Sequence, residues 1–307
     1  MNYIIVDFEW NQPLPEQPMV TEPFAFDSEI IEIGAIRLND RFETEEDYKA
    51  YVKPVCYPVM NGKVVRLTKI RPQELEKAQE FPDVCSEFFK WCGEDFCLCT
   101  WGSDDIPALL DNMLMHGMET PRLLLSCDLQ KIYSREIMRD ENRWSLEKAV
   151  DLLKLPKDRA HDALNDVRNT LKICERVDVF PYIEEYSTCY VDYGRDRMSG
   201  LFTGKACAGP EGGQRNNELM EMSCPYCEET LRFGAWVKRK KSGFYAYARC
   251  GEGDEFLAVF RVRRGRDSAY TVGRSIYEMN DVLWDDYQDA LDAAEAGEST
   301  SDQKTEI

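Results

Sequence analysis

The hydrophobic positions of this 307-residue chain change period along its length. Tyr3 to Val6 form an unbroken apolar run, which predicts a buried strand. EIIEIGAIRL predicts a second strand, separated from the first by the Pro-rich stretch from Asn11 to Phe26, and DYKAYVKP a third, ended by Pro54. FCLCTWG reads as a short buried strand. Helical spacing takes over between Arg71 and Cys92, and again between Ile106 and Met118, where Pro107 falls in the first turn and is tolerated there. SLEKAVDLLKL sets Leu146, Ala149, Val150 and Leu153 on one stripe with Ser145 as its N-cap, and the run after His161 does the same with Ala163, Val167, Leu171 and Cys174. Strands that come first as hairpins and then alternate with helices predict an α/β unit over residues 1–180, a mixed sheet flanked by helices. Residues 181–206 read as a connector, 207–275 as a small β-rich module, and 276–307 as an acidic disordered tail.

Charge sharpens this division. The formal net charge is −19, which excludes non-specific adhesion of the whole molecule to polyanions. A nucleic-acid partner would need a locally basic surface or bridging cations. Residues 201–275 supply such a surface, with 13 Lys plus Arg against 9 Asp plus Glu, whereas 276–307 hold 10 acids and a single base, Lys304. Twelve cysteines would suit disulfides in a secreted protein. No basic-then-apolar leader and no apolar run of about 18 residues accompanies them, so the expectation is a cytoplasmic protein with reduced thiols, away from membranes.

Candidate chemistry begins at MNYIIVDFEW. Side chains alternate along a strand, so Asp7 and Glu9 project from one face, where two like charges repel unless something positive lies between them. Asp104 and Asp105 follow a buried strand and open a helix, and Asp166 lies on a helix five residues after His161, one of only two histidines. Carboxylates converging in this way suit hard divalent cations, which prefer oxygen ligands, and a histidine among them is a natural general base. Each piece alone has a plainer reading: a solvated strand end, a helix cap, a structural histidine.

VDFEW, TWGSDD and HDALNDV, in that order, resemble the three motifs of the DEDDh class of 3′–5′ exonucleases, which share a DnaQ-like, ribonuclease-H-like fold. The resemblance spans residues 1–180. SEIIEIGAIRL matches the family's second strand, VVRLTKIRPQEL its Leu-Thr-x-Ile segment, and the long insertion after VDFEW is most similar to the branch of histone-mRNA, RNA-interference-related and KapD-like exonucleases. It implies that Asp7 bridges two cations (Mg²⁺ or Mn²⁺), that Glu9 and Asp166 complete the first site, and that Asp105 holds the second, with Asp104 as the alternative. His161 would deprotonate the attacking water. Trp10 would stack on the terminal base, and Leu67 and Thr68 would wedge against the last bases. The implied reaction is stepwise hydrolysis from a free 3′ end to nucleoside 5′-monophosphates, on RNA somewhat more than DNA. A rival reading is a catalytically silent nucleic-acid- or protein-binding regulator, whose signature would be a broken acid set; here the set is complete.

In the β-rich module, Cys224-Pro-Tyr-Cys227 has the spacing of a zinc knuckle. Its expected partner contains Cys250, but Gly253 stands where a second cysteine would close the pair. Cys207 or Asp254 could supply the fourth ligand of a zinc-ribbon-like module, or the ribbon keeps its shape without metal. Lys238, Arg239, Lys240 and Lys241 precede Phe244, Tyr245 and Tyr247. Cations for phosphates beside aromatics for bases are what single strands require, although a solvated hairpin tip would look the same.

Overall fold

The computed structural model describes residues 1–198, 221–240, 243–264 and 270–295. They form two compact units: Met1–Val20 with Phe26–Ser187, and Thr21–Ala25 with the residues from Thr188 onward.

Three long strands found the first unit. β1 (Asn2–Asn11) pairs antiparallel with β2 (Glu29–Leu38), and β2 antiparallel with β3 (Thr44–Lys53). Helices α1 (Gly62–Thr68) and α2 (Pro72–Leu75) lead to a two-residue strand β4 (Gln79–Glu80) on the outer edge of β3, then to α3 (Phe81–Cys92). β5 (Phe96–Thr100) returns parallel to β1, and after α4 (Asp105–Met115) β6 (Leu124–Asp128) adds parallel to β5. Then come α5 (Leu129–Ile132), which runs into a π-helical turn over Tyr133–Met138, α6 (Leu146–Leu152), α7 (Ala163–Val177) and α8 (Ile183–Tyr186). The strand order β4-β3-β2-β1-β5-β6, with β2 antiparallel to its neighbour β1 and β1, β5 and β6 parallel, is the ribonuclease-H-like mixed sheet expected from the sequence.

β2 is buried along nearly its whole length, yet carries Glu29 and Glu32. Glu29 is 1% exposed and ionic burial at that depth is costly without partners. Its carboxylate accepts the backbone N–H groups of Val55 and Cys56 at 2.7 Å and of Tyr57 at 2.6 Å, which fastens the turn after β3 to the sheet. Asn11, fully buried at the end of β1, donates to the carbonyls of Tyr57 and Val59 and accepts from Asn61 N. Asn61 in turn caps α1. Two polar side chains thus set where α1 begins relative to the end of β1.

The second unit is an antiparallel sheet in the order β7 (Ser187–Met198), β12 (Tyr270–Glu278), β11 (Glu255–Arg264), β10 (Gly243–Arg249). β8 (Arg232–Phe233) and β9 (Val237–Lys240) both pair with the free edge of β10. One face gathers Val191, Phe244, Ala246, Phe256 and Phe260. The opposite face, with Val237, Leu257 and Val259, lies under α9 (Asp281–Glu295) through Tyr287 and Ala290.

Several sequence expectations change. The helical stretch between Arg71 and Cys92 is two helices, because Pro72 and Pro82 each occupy a first turn, where the missing N–H costs nothing. The strand β6 was not anticipated, since LLLSCD is too short for periodicity to separate strand from helix. Within 181–206, expected as a connector, β7 runs to Met198. Within 276–307, expected as a disordered tail, β12 ends at Glu278 and α9 covers 281–295; Leu283, Tyr287, Ala290 and Leu291 give it one apolar stripe that the acid count conceals. Residues 296–307 lie outside the described residues. No described helix is long and apolar enough to cross a membrane.

Replacing Glu29 by Ala leaves three N–H groups, that of Tyr57 buried and those of Val55 and Cys56 part-buried, without this acceptor and is expected to lower stability by on the order of 3 kcal/mol. Urea unfolding monitored by tryptophan fluorescence measures this; a loss below about 1 kcal/mol would contradict the anchoring role.

Candidate active site

The site forms on β1 beyond Ile5, where its pairing with β5 ends while that with β2 continues. Asp7 pairs with Gly34 and Glu9 with Glu32 across β1 and β2, and the register shifts between Glu9 and Trp10, which pairs with Ile30. Ile31 is the extra residue, and such bulges re-aim the side chains beside them. Phe8, pointing the other way, is buried edge-on against Phe88 of α3 and belongs to the core. Trp10 is half-buried.

α4 brings the second acid. Asp105 is 7% exposed and its Oδ1 accepts the backbone N–H of Phe8 at 3.4 Å, while Asp104 is solvent-exposed and pairs at 3.8 Å with Arg143. Of the two, Asp105 is turned toward β1. α7 brings the third. Asp166 stands in its first turn, and Oδ2 accepts the backbone N–H of His161 at 2.8 Å. His161 is exposed and has φ +61°, a left-handed conformation uncommon for a residue with a side chain. Ligand atoms of Glu9, His161 and Asp166 lie within 4.8 Å of one another.

α7 can reach the sheet only because position 34 lacks a side chain. A Cβ there would lie 2.2 Å from Leu164 N and 2.3 Å from the carbonyl carbon of Ala163. The helix start therefore rests on bare strand backbone beside Asp7.

Two residues absent from the sequence reading complete the surroundings. Glu32, fully buried opposite Glu9, accepts the Ala163 N–H on Oε2 at 3.0 Å and meets Lys49 Nζ at Oε1, 2.7 Å away. The same Nζ is 2.7 Å from Oδ2 of Asp162, the N-cap of α7. An acid inside an otherwise apolar strand was the available signal for Glu32; nothing in the local pattern marks Lys49. His116, the other histidine, is half-buried at the C-cap of α4 and stacks on Phe81 at 5.2 Å.

The electrostatics follow from this crowding. Burial, then the neighbouring Asp105, Glu9 and Asp166, hold the Asp7 carboxyl well above the usual carboxylate range. Burial, with Asp166 and Glu32 adding repulsion, pushes Glu9 up to about 8, and burial pushes Asp105 up to about 7. Asp166 is raised by burial, less the effect of the His161 N–H. At Asp162 burial works upward, but the Lys49 ammonium prevails and its carboxyl sits low. The arrangement is a pocket of acids that resist losing their protons together, which is what a set of hard-cation ligands looks like without positive charge between them.

The remaining expected residues fall out differently. Leu67 is 52% exposed at the end of α1. Thr68 is buried, its hydroxyl donating to Val64 O and accepting from Ile70 N, so it ends the helix and offers nothing to a ligand. In the second unit Cys224, Cys227, Cys250 and Asp254 gather with ligand atoms within 4.8 Å of one another. Both Cys224 Sγ and Cys250 Sγ lie 3.2 Å from Asp254 Oδ2. Asp254 is thus the fourth member of the cluster; Cys207 lies outside the described residues. Lys238 is exposed on β9, Lys241 lies outside the described residues, and so do the side chains of Arg239 and Lys240.

The sequence model described as "Exonuclease" matches residues 4–174. Among curated proteins, the chain is 26% identical over 119 residues to the probable 3′-5′ exonuclease KapD of Bacillus subtilis (strain 168), covering 38% of this chain and 56% of that one. It is 24% identical over 166 residues to 3′-5′ exoribonuclease 1 of Rattus norvegicus, covering 50% of this chain and 48% of that one. The chain spans about half the length of the curated relatives it matches. Among solved structures, the 3′-exonuclease that recognises the 3′ end of a histone mRNA stem-loop is similar at 23% identity and a TM-score of 0.49, covering 57% of this chain and 80% of that one. Cell-death related nuclease 4 is similar at 19% identity and a TM-score of 0.49, covering 75% and 87%.

The raised carboxyls predict a pH dependence in protein kept metal-free by chelator. Glu9 and Asp105 hold protons in the folded chain up to about pH 8 and 7, whereas the unfolded chain releases them near pH 4. The folded state binds more protons in that window, so the melting temperature should fall as pH rises from about 5 to 8. Asp7→Asn should raise it at pH 8, by removing a carboxyl that the fold must either keep protonated or charge beside other acids. Differential scanning calorimetry gives both values, and a flat profile would contradict the mutual repulsion.

Proposed function

The chain belongs to the exonuclease family, and from that premise we propose that its first unit is a two-cation-dependent 3′–5′ exonuclease acting on nucleic acid with a free 3′ end. The observation that carries the reading is the convergence of Asp7, Glu9, Asp105 and Asp166 from three separate elements, with His161 beside them. Four carboxyls, each held above its usual range chiefly by burial, fit a pair of divalent cations, while Lys49 is spent on Glu32 and Asp162. A complete acid set argues against the silent-regulator reading.

Asp7, Glu9 and Asp166 would hold one Mg²⁺ or Mn²⁺, and Asp7 and Asp105 the other. Such ions, when bound, acidify a water and stabilise the departing oxygen of a phosphodiester. The chain's own part is to orient and to move a proton. His161 is exposed at the rim of the site, its backbone N–H tied to Asp166 Oδ2 and a ring nitrogen within 4.8 Å of carboxylate oxygens of Glu9 and Asp166, so the ring is placed to take a proton from the attacking water. The half-buried Trp10 and the exposed Leu67 flank the place of the terminal nucleotide, and the products are nucleoside 5′-monophosphates. RNA is favoured modestly over DNA, on the similarity to a relative named an exoribonuclease.

The second unit contributes retention of the strand. Lys238 is exposed on β9 within the basic sequence run Lys238-Arg239-Lys240-Lys241, and Cys224, Cys227, Cys250 and Asp254 would hold one structural Zn²⁺ that pins the turn after residue 224 to the end of β10. Tyr226 N–H and Asp254 N–H point at Cys224 Sγ and Cys250 Sγ, at 3.4 and 3.2 Å, as donors that would stabilise thiolates. Every described cysteine is a free thiol, which suits the reducing cytoplasm.

With Mg²⁺ or Mn²⁺ and a 5′-labelled oligonucleotide, Asp7→Ala and His161→Ala should each lose about 100-fold or more in rate. Degradation by both variants at the wild-type rate would end the assignment. Matched RNA and DNA substrates test the preference. Elemental analysis of the purified full-length chain should find about one zinc, lost in Cys224→Ser/Cys250→Ser; less than half an equivalent in the wild type rejects the zinc centre.

A further inference from the structure

We propose that Lys49 is a positioning residue for the reaction: it clamps Glu32 and Asp162 so that the start of α7 presents His161 and Asp166 to Asp7 and Glu9. The inference rests on the exonuclease reading and goes beyond its ligand set.

Lys49 lies on β3 opposite Gly34, and Gly34 lies opposite Asp7. The three residues form a row across the sheet at the level where α7 touches it. From this row Nζ reaches 2.7 Å to Glu32 on β2 and 2.7 Å to Asp162 ahead of α7, and it sits 5.5 Å from the ring of Tyr51. Both carboxylates are helix caps as well as ion-pair partners. Glu32 Oε2 takes the Ala163 N–H at 3.0 Å, and Asp162 Oδ1 takes the Asn165 N–H at 3.2 Å. The first turn of α7 is therefore held from two sides by acids that Lys49 holds in place.

Arg159 extends the clamp. One of its nitrogens lies 3.2 Å from Asp162 Oδ2 and 3.5 Å from the carbonyl of Thr68, which ties the segment around His161 to the end of α1, beside exposed Leu67. His161 stands between Arg159 and Asp162 in a left-handed conformation that needs external support. Glu32 makes the cation necessary: it is fully buried next to Glu9, and without Lys49 its charge would face the acid cluster unopposed.

The test compares wild type, Lys49→Met and Lys49→Met/Glu32→Gln as full-length chains, with rates referred to the folded fraction from circular dichroism. Lys49→Met should lower kcat 10- to 100-fold, with KM for the oligonucleotide within about twofold of wild type and a higher Mg²⁺ concentration at half-maximal rate. Glu32→Gln in the same chain removes the unopposed charge yet keeps an acceptor for Ala163 N–H, and should restore at least tenfold of the loss. A Lys49→Met chain with kcat within twofold of an active wild type overturns the clamp while leaving the exonuclease reading intact. So does a loss that Glu32→Gln does not relieve, which would make Lys49 a packing residue only. An inactive wild type overturns the exonuclease reading and this inference with it.

Discussion

The contact between the start of α7 and the backbone of β2 at Gly34 is the constraint on which the site depends. A helix normally packs on a sheet through side chains, at a distance of about 10 Å between layers. Here the first turn descends to the strand itself, because any Cβ at position 34 would collide with the peptide between Ala163 and Leu164. That descent puts Asp166 and the segment before it level with Asp7 and Glu9. It also exposes the helix N-terminus to buried acids, and the partial positive charge of that terminus is one reason Glu32 and Asp162 can sit so close to further carboxylates.

The site stores repulsion that the rest of the unit must hold. Asp7, Glu9, Asp105 and Asp166 are delivered by β1, α4 and α7, and each delivery has its own fastening: the sheet register, the Phe8 N–H, the cap at Asp162. Glu29, Asn11 and Asn112 serve the frame in the same way. Asn112, fully buried in α4, accepts from Ile30 N and donates to the carbonyls of Ser28 and Ala108, which locks α4 to the beginning of β2. Polar side chains buried with full sets of partners specify one arrangement, and that is the role they have around a cluster that would otherwise push itself apart.

Much of this was legible in the chain. The three long strands, the Ser145 cap, the stripe on α7 and the mixed sheet follow from period and punctuation, which are local properties. The paired acids of VDFEW were legible because a charge closing an apolar strand is a visible conflict. Lys49 was not, since its importance lies in residues 17 and 113 positions away, and a lysine on an outer strand looks like solvated surface. Thr68 shows the opposite case: a hydroxyl satisfied within its own helix end cannot be told from one facing outward until the turn is seen. The last helix was hidden by composition, because six acids between 281 and 295 outweigh an apolar stripe four residues wide when only totals are read.

The two clusters of ligand-type side chains among the described residues pose one electrostatic problem in two chemical forms. In the first unit the groups are all oxygen acids with His161 at the rim, and burial drives their protons toward neutral pH, where a divalent cation competes with them easily. In the second unit the groups are thiols around one carboxylate; burial pushes the Cys224 thiol up to about 12, and Cys224 Sγ and Cys250 Sγ both donate to Asp254 Oδ2. Oxygen ligands that give up protons near pH 7 suit hard, exchangeable ions. Buried thiols yield only to an ion that binds sulfur strongly enough to displace protons at neutral pH, and Zn²⁺ is such an ion. The difference in donor atoms alone therefore separates a cluster suited to exchangeable, oxygen-bound cations from one suited to a sulfur-bound ion that stays with a fold.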